Sequence, residues 1–358
     1  MTVDTDELLR SSVRKAFDKK APVTNFLSNL FEPEELTTTK VTLHGRAVKA
    51  IYSEDVVPGT DGNRIELSNF EETEYEIPEY NDYGTVAAVD LAKQQFGESR
   101  FSEKVAYAAN MIAEKQIWAS DMQKRAEEKQ AADALLYGQI TLKSGKKIDY
   151  KKPASHDIDK SSAKWNTDKG DPVADIGNAC SLIKSDAKLA GGEYHAIMGE
   201  LAYNALIASG KLKANSNWNN GITLNDIKFP EEKAGGANFH GRLVANGKII
   251  NIWTYDAEYV IPAGLANAGA KVGYLPTGAV IIVPAKRTFK RYYGANASVP
   301  NNYKNFLTDP VQLVKSQQYF YEYAILGGGN CFVEAGCKSR PLHVPTDPNE
   351  IATLKNVI

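Results

Sequence analysis

Apolar residues recur at helical spacing through the middle of the chain, in a stretch that contains neither proline nor glycine. The run from 101 to 137 predicts one long helix, with Ser102 as its N-cap and Gly138 as its stop. At 1.5 Å per residue, such a helix is about 50 Å long. Its apolar residues form one broad stripe: Val105, Ala108, Met111, Ile112, Trp118, Ala119, Met122 and Ala126. Because the stripe fades into QKRAEEKQ, we expect the first half to pack on a sheet and the second half to face water or a neighbour.

Before this helix, alternating apolar and polar residues predict a β-hairpin between residues 40 and 85. KVTLHGRAVKAIYS and TEYEIPEY form its limbs, with Tyr75 and Ile77 on one face, and VPGTDGNR supplies the turn. The second limb has seven acidic residues from Glu66 to Asp82 and no lysine or arginine. This acidity is compatible with a solvated edge or with an arm that pairs with positive charge on another copy. An isolated two-stranded ribbon is marginally stable in water, so we favour a partner surface.

The remaining chain predicts an arm and a mixed α/β body. Residues 1–40 are basic and then apolar at helical spacing, which is typical of an arm that needs a partner for its apolar face. QITLKSGKKIDY predicts a tight hairpin, and residues 151–170 a polar linker. Residues 171–309 predict a compact α/β domain with a helix that opens at Asp171-Pro172 and two buried strands, GKIINIWTY and TGAVIIVPA.

Composition and charge narrow the function classes. Hydrophobic residues make up 43% and charged residues 24% of the 358 residues, as in ordinary globular proteins. The net charge of −2 gives no basic excess for wrapping nucleic acid. Three cysteines, Cys180, Cys331 and Cys337, fit a reducing compartment better than a disulfide framework. We expect no signal peptide and no membrane span, since no long apolar run occurs.

Motifs of catalysis and cofactor binding are not recognisable. GGGN at 327–330 lacks the context of a phosphate loop, and the five histidines lie singly. We therefore expect no catalytic residue, no metal and no cofactor. The apolar residues of the arm, the ribbon and the long helix need other surfaces to bury them. This favours a protein that functions by binding to other chains.

The order of these elements resembles the major capsid (head) proteins of tailed bacteriophages, in particular the lambda-type head proteins. Five short stretches carry the resemblance over some 300 residues. They are FLSNLFEPEELTTTKVTL, EKQIWASDMQKRAEEKQAADALLYGQITL, GDPVADI, IINIWTYDAEYV with VGYLPTGAVIIVPA, and RPLHVPTDPNEI. The segment Lys315–Lys338 departs from the pattern, as an insertion or a surface hairpin.

The resemblance implies an α+β, HK97-like capsid fold. It divides the chain into an N-terminal arm (1–40), an E-loop β-hairpin (41–92), a spine helix with the peripheral domain (98–152), an axial α/β domain (153–309) and a return to the peripheral domain (310–358). The long helix would be the spine of a plate-like subunit.

Three groups of residues follow as candidates. The first comprises inter-subunit contacts: Pro58, Asp61, Arg64, Glu71, Glu72, Glu74 and Glu76. The second comprises packing residues of the spine: Ile112, Trp118 and Met122. The third is the axial-domain motif: Tyr255, Tyr259, Tyr274, Leu275 and Pro276.

The implied function is self-assembly, as pentamers and hexamers with heterologous contacts, into an icosahedral head. The head would enclose double-stranded DNA without sequence-specific binding, in the virion and, during assembly, in the host cytoplasm. Implied partners are a separate scaffolding protein, a portal and a decoration protein. Two alternatives stay open: an encapsulin-like nanocompartment shell, and an α/β enzyme centred on 171–309.

Overall fold

The computed structural model describes residues 23–45, 71–87, 104–189, 192–209, 236–265, 267–298, 312–314, 321–326 and 332–358. Its α-helices are α1 (Lys104–Tyr137), α2 (Pro172–Asp186) and α3 (Glu200–Ala208). The first strands are β1 (Glu32–Glu35), β2 (Lys40–Gly45), β3 (Glu71–Glu76), β4 (Tyr80–Ala87), β5 (Gln139–Thr141), β6 (Lys147–Asp149), β7 (Asp157–Asp159), β8 (Glu193–Met198), β9 (Asn238–Ala245) and β10 (Lys248–Thr254). The others are β11 (Glu258–Val260), β12 (Lys271–Gly273), β13 (Val280–Pro284), β14 (Lys290–Tyr293), β15 (Asn296–Ser298), β16 (Gln312–Val314), β17 (Tyr321–Leu326), β18 (Phe332–Ser339), β19 (Pro341–Val344) and β20 (Ala352–Lys355).

A six-stranded mixed sheet in the order β7-β20-β13-β8-β10-β9 forms the centre of the α/β part. Its central strand β13 is buried at every residue, because alternate side chains enter two different cores. Val280 and Ile282 pack with α2 and α3, whereas Ile281 and Val283 pack with the arm and the end of α1. This double burial confirms the interpretation of TGAVIIVPA as a strand covered on both faces.

Helix α2 begins as its sequence predicts. The Asp171 side chain accepts a hydrogen bond from Ala174 N at 3.0 Å, and Pro172 occupies the first turn. Ile176 and Ile183 are fully buried against the sheet.

Helix α1 runs for 34 residues, about 50 Å, and ends at Gly138, whose φ is +63°. The predicted length and stop are therefore confirmed; Ser102 lies outside the described residues. One side of α1 packs on a three-stranded antiparallel sheet, β17-β18-β4. The β17–β18 hairpin belongs to Lys315–Lys338, so its strands complete this sheet beside the helix.

Two segments differ from their predicted places. The expected linker 151–170 is packed, since it contributes β7 to the six-stranded sheet and buries Trp165. The backbone N–H of Trp165 donates to Val357 O at 2.7 Å. The last strand, β20, joins that same sheet and not the peripheral part to which 310–358 was assigned. The segment 151–170 is polar and β20 is short. Their strand partners are distant in sequence, so a local pattern of residues cannot predict the pairing.

Candidate functional site

The predicted ribbon is present in its base. β2 and β3 pair antiparallel, with Val41 opposite Tyr75, and among the described residues they pair only with each other. Ile77 is buried, and the Tyr75 ring meets Tyr150 edge-on at 5.5 Å, so one face anchors the ribbon to the body. This confirms the predicted division of the ribbon into an apolar and an acidic face.

The acidic face already has partners in the same chain. Glu74 forms an ion pair with Lys40 at 2.9 Å, and Glu76 forms one with Lys146 at 3.2 Å. Both pairs are exposed and contribute little stability. Pro58, Asp61 and Arg64 lie outside the described residues, as do the side chains of Glu71 and Glu72. The role of all seven residues in contacts between subunits stays a prediction.

The packing face of α1 is not the predicted one. Trp118 and Met122 are 50% and 52% exposed, Ile117 is 44% exposed, and Ile112 is half-buried. The prediction that Trp118 and Met122 pack inside the subunit is therefore wrong. We call this exposed surface, formed by Ile117, Trp118 and Met122, the outer stripe.

The buried face of α1 lies one position further along the helix and is largely polar. It passes through Ala119, Gln123, Glu127, Gln130 and Ala134, at the 3.6-residue period. The expectation that the QKRAEEKQ half faces water or a neighbour is therefore wrong, because its two glutamines and two glutamates are 0–3% exposed. Hydropathy misses this face, since its side chains are buried by hydrogen bonds to distant strands.

The two glutamines bind strand backbone. Gln123 Nε2 donates to Cys337 O at 2.5 Å, and Gln130 Nε2 donates to Pro341 O at 3.2 Å. His343 N donates to Gln130 Oε1 at 3.0 Å. These hydrogen bonds fix the position of α1 along its axis relative to β18 and β19, because each one joins a single side chain to a single backbone group.

Glu128 reaches the arm and the residue that follows β10. Glu128 accepts hydrogen bonds from Leu27 N at 2.8 Å and Ser28 N at 2.9 Å, which lie in the 3₁₀ turn of the arm. The Tyr255 hydroxyl donates to the same carboxylate at 2.6 Å. Burial raises the pKa of Glu128 to about 7, against the lowering effect of these donors.

Glu127 faces β14. Its Oε2 accepts a hydrogen bond from the Tyr293 hydroxyl at 2.9 Å and lies 3.5 Å from the Arg291 guanidinium. Burial raises the pKa of Glu127 to about 7, and the Arg291 charge opposes this shift. Neither glutamate was identified from the sequence as a functional residue. The signal that could have identified Glu127 is its position at helical spacing from Ala119, Gln123, Gln130 and Ala134.

The axial-domain motif converges on this same helix. Tyr255, Tyr274 and Leu275 are buried, Tyr259 is half-buried and Pro276 is exposed. The Tyr274 ring lies 4.9 Å from Tyr259 and 6.2 Å from Tyr255. With the Tyr255 contact to Glu128, the motif joins the end of β10 to α1, and its buried residues Tyr255, Tyr274 and Leu275 form part of the subunit interior.

A buried lysine holds the C-terminal end of α1. Lys152 Nζ donates to Leu136 O at 3.3 Å, to Thr353 Oγ1 at 2.6 Å and to Asp157 Oδ1 at 2.7 Å. Its cation thus satisfies a terminal helix carbonyl and ties the helix to β7 and β20. Burial lowers the pKa of Lys152, and Asp157 opposes that shift.

The described part of the chain contains no cluster of potential metal ligands. Within the described residues, no three His, Cys, Asp or Glu side chains are placed to hold a metal ion. Cys180 and Cys337 are free, buried thiols; Cys331 lies outside this part of the chain. No helix in the described ranges is long and apolar enough to cross a bilayer.

Solved structures define the class of fold. The chain resembles a protein assigned as a prophage capsid protein of E. coli CFT073, with a TM-score of 0.61, 15% identity and 99% of each chain covered. The capsid of cyanophage P-SCSP1u matches with a TM-score of 0.49, 10% identity and coverage of 94% and 89%. The SrpI encapsulin of Synechococcus elongatus PCC 7942 matches with 0.47, 8% identity and coverage of 97% and 95%. The last two likenesses are too distant to support a conclusion.

The fold is thus the α+β, HK97-like fold of phage shell proteins, as the sequence predicted. The model of the family "Phage major capsid protein E" matches residues 10–356, and the chain belongs to this family. No curated protein sequence matches it. The protein is a structural component that forms the shell of a phage head, and is not an enzyme. As a capsid protein it is part of the virion.

Proposed function

We propose that this chain assembles, as pentamers and hexamers, into a closed icosahedral head that encloses double-stranded DNA. The observation that carries the proposal is the ribbon β2–β3, which is anchored at its base and paired only with itself in the described residues. A two-stranded ribbon gains stability when it lies on a further surface. A neighbouring copy supplies that surface in a closed, repetitive shell.

Exposed apolar residues in separate regions support several contacts per subunit. The outer stripe lies on α1, Val260 and Val272 lie on the β11–β12 hairpin, and Leu201 and Ile207 lie on α3. Large apolar residues in clusters are typical of surfaces that bind other proteins. Contacts at three regions allow one subunit to touch several neighbours, and many modest contacts together stabilise a closed shell.

The partners proposed are a separate scaffolding protein and a portal, with a decoration protein as a further candidate. The net charge of −2 suits a shell that encloses DNA without holding its phosphates tightly. Assembly would take place in the cytoplasm of the bacterial host.

Removal of residues 54–66, the expected ribbon tip, tests the role of the ribbon. We expect the variant to keep the circular dichroism spectrum and melting temperature of the wild-type subunit. Negative-stain microscopy of the variant, expressed with the phage scaffold, should show few closed shells. A second variant replaces the same residues with a Gly/Ser segment of equal length. It should also form few closed shells, because it keeps the length of the segment but not its side chains. Normal shells from either variant would contradict the proposal.

A further inference from the structure

Glu127 and Glu128 are consecutive residues of α1 whose carboxylates both lie in the interior of the subunit. Their residues are 3% and 0% exposed, so neither charge is solvated. A buried carboxylate without a compensating cation costs several kcal/mol, and it normally takes up a proton instead. The number of cations near the pair therefore decides how many protons it holds.

One guanidinium serves both groups. Arg291 lies 3.5 Å from Glu127 Oε2 and also lowers the pKa of Glu128 through its charge. Lys124, on the same helix, also lowers the pKa of Glu127 through its charge, and it forms an ion pair with Asp121 at 3.7 Å. The other titratable groups that face the pair are Tyr80, Tyr255, Tyr274, Tyr293 and Cys337.

Tyr80, Tyr255, Tyr274 and Cys337 add no charge near neutral pH. Burial raises the pKa of Tyr80 and of Cys337, each to about 12, and raises the pKa of Tyr255 and Tyr274 further above the ordinary phenol value. In the described part of the chain, two carboxylates thus share one guanidinium, and the charges balance when one carboxyl is neutral.

The contacts of the pair accommodate a proton. Glu127 Oε1 is buried without a hydrogen-bond partner among the described residues, which disfavours a negative charge there. At Glu128, the 2.6 Å contact to Tyr255 can also run from a protonated carboxyl to the phenol oxygen. The phenol would then donate to Thr24 Oγ1, which lies 3.0 Å away.

The arm contacts Glu128 and the guanidinium that pairs with Glu127. Glu128 holds the amides of Leu27 and Ser28, and Arg291 NH1 donates to Ser28 Oγ at 2.6 Å while it faces Glu127. The 3₁₀ turn of the arm is therefore bound by Glu128 and Arg291, and Glu127 acts on it through Arg291. Any change in their charge acts directly on the docking of that turn.

We propose that Glu127 and Glu128 share one proton near neutral pH and act as a latch for the arm. While the pair holds the proton, the turn at Leu27–Ser28 stays docked on α1. Loss of the proton leaves two buried negative charges beside one guanidinium, and undocking of the turn lets water reach them.

The sign of the pH dependence follows from linkage. Burial raises the pKa of both glutamates from 4.5 to about 7 in the docked state, and solvation after undocking returns them toward 4.5. The docked state therefore binds the proton more tightly, and docking is stabilised below pH 4.5 and weakens as the pH rises through about 7. This is opposite to the behaviour of a carboxylate held by a surface ion pair.

Hydrogen exchange of the arm turn in the full-length subunit tests the proposal. Protection factors, which remove the intrinsic pH dependence of exchange, are measured for the peptide that contains Leu27 and Ser28. We expect protection to fall about tenfold between pH 6 and pH 8.5, the change for one proton with these two pKa values. A pH-independent protection factor in the wild-type protein would overturn the proposal.

Two variants and an infrared measurement distinguish a pH-dependent latch from a purely structural role of the two glutamates. Glu127→Gln leaves one carboxylate for one guanidinium, so protection should become independent of pH over this range. Glu114→Gln, an exposed change on the same helix, should keep the wild-type response. Infrared difference spectra of the wild-type protein should show a protonated carboxyl that disappears between pH 6 and pH 8. Absence of this carboxyl signal at pH 6 would contradict the latch without depending on the folding of any variant. An unchanged response in a folded Glu127→Gln variant would contradict it as well.

Discussion

Gln130 and His343 are joined by two hydrogen bonds that tie the long helix to strand β19. His343 N lies 3.0 Å and His343 Nδ1 2.7 Å from Gln130 Oε1, so this imidazole carries its proton on Nδ1. Burial lowers the pKa of His343 well below its ordinary value, with Arg291 acting in the same direction. The side chain is therefore a neutral, fixed part of the core.

Substitution of Gln130 by leucine tests this connection. The change leaves His343 N and Pro341 O buried without their partner, and we expect a loss of about 2–4 kcal/mol in the free energy of unfolding. Gln116→Leu is the control, since Gln116 on the same helix makes one part-buried bond to Tyr323 O at 3.1 Å. It should cost under about 1 kcal/mol in a denaturant titration of the unassembled subunit. Equal losses would show that the bonds of Gln130 have no special role.

Two turn glycines provide a second matched comparison. Gly138 has φ of +63°, and a Cβ there would collide with the side chain of Lys152, which caps the helix. Gly145 has φ of +82°, but its Cβ would meet open space. Gly145→Ala should cost about 1 kcal/mol for its backbone alone, and Gly138→Ala distinctly more. Thermal unfolding of both variants checks this, and a smaller effect at Gly138 would contradict the capping role of Lys152.

The position of the outer stripe predicts that Met122→Asp spares folding. Its side chain is exposed, so the free energy of unfolding of the unassembled subunit should change by less than about 0.5 kcal/mol. Ala131→Asp, on the buried face of the same helix, should cost more than about 3 kcal/mol because it buries a charge. If Met122→Asp unfolds the subunit, the buried and exposed faces of α1 have been assigned incorrectly.

Thiol labelling tests the burial of Cys180 and Cys337. Burial raises the pKa of Cys180 and of Cys337 to about 12, so neither forms appreciable thiolate at pH 8. Peptide-resolved mass spectrometry after treatment with iodoacetamide should find both unmodified in the native protein and modified after denaturation. Rapid labelling of Cys180 in the native protein would show that the core between α2 and the six-stranded sheet opens readily.

Local pattern predicted many of the elements correctly. The ribbon base, the hairpin β5–β6, the α2 cap and the buried strand β13 each follow from residues that are neighbours in sequence. Alternation, turn chemistry and capping are short-range effects, so the sequence alone is sufficient for them.

The buried face of the long helix could not be predicted in this way. Trp118 and Met122 are apolar and lie on the same side of the helix, which favoured them as core residues. The core instead takes Gln123 and Gln130, whose burial is stabilised by carbonyls of residues more than 200 positions away. A hydropathy pattern contains no information about hydrogen-bond partners that are distant in sequence. The contact between Glu128 and Tyr255 could not be predicted for the same reason.

The most direct test of shell formation is cryo-electron microscopy of the protein expressed with its scaffold. We predict closed particles of uniform size, whose reconstruction shows this chain in pentamers and hexamers with β2 and β3 lying on an adjacent copy. A well-folded protein that stays monomeric with and without the scaffold would contradict the proposed assembly.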